Sequence, residues 1–135
     1  MYRPIIYDLE TTGLDIKTAR IVEIAMYDVN NNKMFHSLIN PRCQIPKEAE
    51  KIHNISMNMI KNEPTFNKII NTINNVCKGK IILVSYNGKS YDNVILKNEY
   101  LRNNKKLSSK ILYLDIYILI KWMYPELLSY KLKNV

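Results

Sequence analysis

The sequence predicts an α/β fold in which helices pack on a mixed β-sheet. Three observations carry this. Up to about residue 39 the chain holds three short strand-like runs. From residue 46 apolar residues recur at helical spacing. Beyond residue 80, compact apolar runs and helical segments take turns.

Ile5–Leu9 is the first strand-like run, before the Thr11-Thr12-Gly13 break. Arg20–Val29 and Met34–Ile39 are the next two, and the polar cluster Asn30-Asn31-Asn32-Lys33 between them closes a hairpin. Together they make an antiparallel meander. Pro46-Lys47-Glu48-Ala49-Glu50 sets proline before good helix formers, a first helical turn. Ser56 caps a short helix reaching about Lys61. Phe66, Ile69, Ile70, Ile73 and Val76 fall at helical spacing, with Thr65 as the cap. Ile81–Val84 reads as a buried strand. Tyr91–Arg102 reads as a helix, with Val94, Ile95, Leu96 and Leu101 available for packing. Ile111–Leu114 is another strand. Ile116–Tyr124 is a helix that ends before Pro125, with Trp122 and Met123 beside Ile118, Leu119 and Ile120 as core. A last helix is expected to start near Leu127 and run off the end. The order is β-β-β-α-α-β-α-β-α. That is the order of the ribonuclease-H-like fold: a three-stranded antiparallel meander plus two further strands, with flanking helices and a truncated C-terminal helix.

The bulk properties narrow the class. A length of 135 residues favours one domain, residues 1–135, with a core that needs no staples. No apolar run reaches the roughly 18 residues of a membrane span. The N-terminus lacks the apolar stretch of a signal peptide. Cys43 and Cys77 have no paired spacing and are expected to be reduced, in a cytoplasmic or nuclear setting. The net charge of +8 fits a polyanionic partner. Asn, Ile, Lys and Tyr dominate, however, and all four have A/T-rich codons, so charge alone says little. No phosphate loop, zinc pattern or Ser-His-Asp arrangement is visible.

Asp8 and Glu10 lie two apart at a strand end, so both carboxylates point to one face. Like charges that close resist ionising together. A divalent cation removes the penalty, and hard oxygen ligands suit Mg²⁺ or Mn²⁺. A metal pair about 3.5–4 Å apart activates a water and stabilises the leaving oxygen of a phosphodiester.

Tyr7-Asp8-Leu9-Glu10-Thr11-Thr12-Gly13-Leu14 resembles the first motif of the DEDD 3′–5′ exonuclease superfamily. The resemblance implies that Asp8 and Glu10 bind metal, while Thr11, Thr12 and Leu14 hold the terminal nucleotide. Arg20-Ile21-Val22-Glu23-Ile24-Ala25, Ile39-Asn40-Pro41 and Ile52-His53-Asn54-Ile55-Ser56 extend the match. Tyr86-Asn87-Gly88-Lys89-Ser90-Tyr91-Asp92 resembles the second motif in the spacing of the three-prime repair group. It implies that Asp92 is the third carboxylate, besides being able to cap the following helix. Asn87 would lie near the terminal nucleotide, with Tyr91 packing beneath. Asp115 resembles a recurring aspartate that supports structure, and Ser129-Tyr130-Lys131-Leu132 the opening of the next helix.

The family's last motif, His-x-x-x-x-Asp, does not occur in the 135 residues. Five residues after His36 is Pro41, and five after His53 is Asn58. Both histidines therefore take structural or surface roles. The implied function is a metal-dependent 3′–5′ exonuclease acting on single-stranded DNA or RNA ends and releasing mononucleotides. Of a two-metal site, three carboxylates remain, enough to hold one ion. Three readings compete: a fragment of a longer enzyme, an enzyme completed by a partner chain, or a catalytically impaired module that binds nucleic-acid ends or a protein. Arg102, Lys105, Lys106 and Lys110 form a basic stretch that either contacts phosphates or is a solvated loop.

Overall fold

The structure, a computed structural model, describes residues 1–134. Five strands form one mixed sheet in the order β3-β2-β1-β4-β5. Strands β1 (Arg3–Thr11), β2 (Ile21–Asp28) and β3 (Lys33–Leu38) are the antiparallel meander. Strands β4 (Ile81–Ser85) and β5 (Leu112–Asp115) add on parallel to β1. The β2–β3 hairpin closes as expected. Asn32 takes the left-handed conformation at φ 51°, and the Asp28 carboxylate accepts from the Asn31 backbone and side-chain N–H groups at 3.2 and 2.7 Å. Arg3 ties the other end of the sheet together through an ion pair to Asp28.

Three helices, not two, join β3 to β4: α1 (Lys47–His53), α2 (Met57–Ile60) and α3 (Phe66–Val76). Pro46 occupies the N-cap of α1, one residue earlier than a first-turn proline. Ser56 caps α2 as its sequence foretold, accepting from Met59 N–H at 3.3 Å. Thr65 stands at the cap of α3 but bonds no backbone there with its side chain. Helix α4 (Asp92–Arg102) begins after Tyr91, so Asp92 is its first residue and not its cap. Within α4, Ile95, Leu96 and Tyr100 are buried, whereas Leu101 turns out to solvent. The reason is phase: Leu101 falls off the stripe that the other three define.

Strand alternation sorts the sheet into two faces. Ile5, Tyr7 and Leu9 of β1 join Ile24, Met26, Ile81 and Leu83 under α3 and α4 in the main core. A smaller cluster of Val22, Ile45, Ala49, Ile55 and Ile60 seats α1 and α2. The other face of the sheet is open and carries Ile6, Asp8, Glu10, Leu112 and Leu114.

Two C-terminal expectations fail. Helix α5 (Ile116–Met123) exists, but none of its residues is buried, and Trp122 is 80% exposed. Apolar composition marks a surface for covering without supplying the cover, and no described element packs over it. The helix expected from Leu127 is absent from the described residues, where only a 3₁₀ turn at Leu132–Asn134 follows. Tyr130 is held instead by two hydrogen bonds, its hydroxyl donating to Tyr124 O at 2.8 Å and its carbonyl accepting from Tyr86. Among the described residues, no helix is long and apolar enough to cross a membrane.

Candidate active site

Strand β1 runs out of the sheet with Asp8 and Glu10 on its open face, opposite the buried Tyr7, Leu9 and Thr11. Their neighbours across β2 are Ala25 and Glu23. A bulge between Glu10 and Thr11 then turns the chain, re-aiming the residues that follow. Asp92 comes from the first turn of α4 and is 7% exposed.

The three carboxylates disturb one another. Burial, and then the charges of Asp8 and Glu10, push Asp92 up to about 7, against a smaller opposing hydrogen bond from the Leu9 N–H. Asp8 is raised by partial desolvation and by Glu23. Glu10 is raised by desolvation, Asp8 and Glu23, with His53 acting against them. Among the described residues, no three acid, histidine or cysteine side chains stand close enough together to hold an ion as they are. The donor set nevertheless suits a hard divalent cation: three carboxylates, mutually destabilised as anions, whose repulsion a bound charge would offset.

Beside Glu10 lies a cavity of about 380 Å³. Its wall brings together Glu10, Thr11, Thr12, Leu14 and Tyr91 with His53. Leu14 projects at its mouth, 84% exposed. The Tyr91 hydroxyl donates to the Gly13 carbonyl and accepts from the Thr11 hydroxyl. Tyr91 thereby ties the second motif to the first. Thr12 is spent on the scaffold: its hydroxyl accepts from Arg20 N–H at 2.9 Å. Asn87 does not line this cavity. It is exposed, in the left-handed conformation at φ 61°, and accepts from the Ser90 hydroxyl at 3.1 Å.

Several residues brace the site, two of them (His53 and Asp115) in the structural roles expected and two (Gly88 and Glu99) not foreseen. His53 Nδ1 accepts from Ile55 N–H at 3.0 Å, so its Nε2 carries the proton and donates to Thr11 O at 3.0 Å. Both ring nitrogens are engaged, and the ring braces the cavity wall. The H-x-I-S spacing was the signal that could have pointed there. Asp115 accepts from the N–H groups of Asn87, Lys89 and Tyr117 at 2.8, 2.9 and 3.0 Å, holding the second-motif loop and capping α5. This is the supporting role expected of it. Gly88 lets that loop close: a Cβ there would lie 1.9 Å from Ser85 Oγ. Glu99, 1% exposed, accepts from Arg20 Nε at 2.7 Å and Arg102 Nη1 at 3.2 Å, fastening α4 to the start of β2. No local pattern announces such a pairing 79 residues apart.

Comparison with known proteins identifies the family and the fold. The RNase_T family model, "Exonuclease", matches residues 5–135. The DNA polymerase III subunit epsilon of Treponema pallidum is 32% identical over 135 residues, covering 96% of this chain and 61% of that protein. Exonuclease DPD1 of Arabidopsis thaliana, chloroplastic/mitochondrial, is 34% identical over 121 residues, covering 82% of this chain and 38% of that one. A solved structure of exonuclease I superposes with a TM-score of 0.84 at 17% identity, over 98% of this chain and 34% of that one, which shows the ribonuclease-H-like fold. The chain thus spans less than two thirds of the length of each. With a family model spanning the sheet, both motifs and the carboxylates, the chain belongs to the exonuclease family, within the DEDD 3′–5′ exonuclease superfamily.

Proposed function

We propose that residues 1–135 form one exonuclease domain that removes mononucleotides from the 3′ ends of single-stranded DNA or RNA with Mg²⁺ or Mn²⁺. One observation carries this reading: the cavity holding Leu14, Thr11 and Tyr91 opens directly beside the carboxylate cluster, so a terminal base in the first places its phosphodiester at the second. Asp8, Glu10 and Asp92 would hold the ion. When bound, that ion supplies an activated water and stabilises the leaving oxygen. The chain's own residues do the positioning. Leu14 offers an apolar face to the base. Tyr91 and His53 fix the Thr11–Gly13 turn against which the nucleotide sits. Asn87, on the second-motif loop outside the cavity wall, would add a polar contact only to a nucleotide that reaches beyond the cavity.

Proton transfer to a general base typically contributes about 10²–10⁴-fold. His53 cannot serve, with both nitrogens engaged. We therefore propose that a His-x-x-x-x-Asp segment comes from a longer polypeptide or a partner chain. The bare apolar surface of α5 beside Leu114 supports this, since such a segment would cover it. We place the chain in a cytoplasmic or nuclear setting, where its two free cysteines, Cys43 and Cys77, would stay reduced. The second reading, a module that binds nucleic-acid ends or a protein without cutting, is favoured by the engagement of both His53 nitrogens.

The test is incubation of the purified chain with 5′-labelled single-stranded DNA and RNA, with Mg²⁺ or Mn²⁺, beside Asp8→Ala. Ladder shortening that Asp8→Ala abolishes supports the enzyme. Binding without shortening supports the module. Failure to bind either metal or oligonucleotide overturns both.

A further inference from the structure

A second cavity, of about 870 Å³, lies at the opposite end of the sheet, where β4 and β5 begin. Four lysines line it: Lys78, Lys80, Lys106 and Lys110. No acidic residue does. All four are exposed, and none joins an ion pair among the described residues. The neighbouring basic residue Arg102 differs, being turned inward onto Glu99 and the Ala19 and Lys17 carbonyls. The basic stretch thus divides into an arginine used by the scaffold and lysines that face solvent. Tyr2, 42% exposed, stands on the same wall beside the apolar Leu107 and Leu112. The floor is rigid: the Arg3 guanidinium donates to Val76 O and Lys78 O at 3.0 and 2.7 Å, and Arg3 N–H to Lys80 O at 2.9 Å.

We infer that this cleft is a second binding site for single-stranded nucleic acid, with the four lysines on phosphates and Tyr2 as a stacking platform for a base. The inference rests on the proposed nucleic-acid substrate but not on cleavage. The ingredients are a basic groove with an aromatic wall, the combination that binds single strands without sequence preference. An acidic peptide would satisfy the lysines but leave the aromatic and apolar wall without a use. Strand β1 sets the distance. Asp8 is five and Glu10 seven residues beyond Arg3, the partner of Ile81 in β4, so the cleft lies roughly 17–23 Å from these carboxylates along the strand at roughly 3.3 Å per residue. A strand with its 3′ end at the carboxylates would need about five to seven stacked nucleotides, at about 3.4 Å each, to reach it. A dinucleotide cannot span the two.

The test is equilibrium binding in EDTA, by anisotropy, of labelled oligothymidylates of two and about fifteen nucleotides. The variant is Lys78→Gln with Lys80→Gln, Lys106→Gln and Lys110→Gln. Its control carries the same loss of charge elsewhere: Lys17→Gln with Lys33→Gln, Lys61→Gln and Lys68→Gln. Every changed residue is exposed, and circular dichroism confirms the fold. The cleft variant should bind the long strand at least about tenfold more weakly than the control, with a salt slope lower by up to about 3, at roughly 0.7 per phosphate contact. Tyr2→Ala should weaken the long strand about fivefold or more. Dinucleotide binding should not change. Equal affinity and slope in the cleft and control variants would overturn the inference. So would a polyglutamate of matched charge binding the cleft as tightly as the oligonucleotide. Because the readout needs no metal and no cutting, failure of the exonuclease assay with Asp8→Ala leaves this result separately readable.

Discussion

Asp92→Asn should make the metal-free protein more stable and leave it unable to cut. Asp92 is 7% exposed and lies against Asp8 and Glu10, which with burial push its carboxyl from 3.8 up to about 7. Its folded-state value is raised, so between those limits the folded chain keeps a proton that the unfolded chain has lost. Stability must therefore fall as pH rises through that window. At about 1.4 kcal/mol per unit, the cost of Asp92 is about 2 kcal/mol at pH 5 and about 4 kcal/mol at pH 8. Asparagine keeps the shape and removes the charge. In EDTA, its advantage over the native chain should grow by roughly 2–3 kcal/mol between those pH values, to about 4 kcal/mol at pH 8, or upward of about 10 °C in Tm for a domain of this size. Saturating Mn²⁺ should close much of the gap by stabilising the native chain alone, since a ligand at a hundredfold its Kd contributes about 3 kcal/mol. The assay is thermal unfolding of both proteins across pH, with and without metal. An advantage over the native chain no larger at pH 8 than at pH 5 would refute the reasoning, because burial and the neighbouring carboxylates would then not hold Asp92 above its ordinary range. An advantage that Mn²⁺ leaves untouched would remove Asp92 from the metal site.

Other expectations follow from single contacts. Glu99→Ala leaves Arg20 and Arg102 without their buried partner and should cost about 3–5 kcal/mol, read by urea unfolding. Gly88→Ala drives a Cβ into Ser85 and should cost about 1–3 kcal/mol, which Ser85→Gly in the same chain should largely restore. Leu14→Ala, at a position 84% exposed, should change stability by less than about 0.5 kcal/mol yet weaken nucleoside monophosphate binding measured by calorimetry. Tyr91→Phe removes the hydroxyl that joins Thr11 to Gly13 and should cost roughly 1 kcal/mol of stability, with a larger loss of exonuclease rate if the turn positions the nucleotide.

The meander, the two added strands and the segments that form α1 to α5 were legible in the chain because each rests on local periodicity. Alternation in β1 carries Asp8 and Glu10 to one face whatever surrounds them, and the Asn30–Lys33 turn is closed by bonds from Asn31 to the adjacent Asp28 carboxylate. Both motifs that mark the family were visible for the same reason: their residues are neighbours in sequence. What remained hidden is set by contacts between distant segments. Only the folded chain shows that Glu10, Leu14 and Tyr91 share a cavity while Asn87 stands apart. Only it spends Thr12 on Arg20, occupies both nitrogens of His53, and buries Glu99 between two arginines. The same limit explains the misread of α5. Its sequence states how apolar the helix is, but burial depends on whether another element covers it, and none of the described residues does. Asp8 and Glu10 are thus a matter of spacing, whereas the raised pKa of Asp92 that joins it to them exists only once α4 docks beside β1.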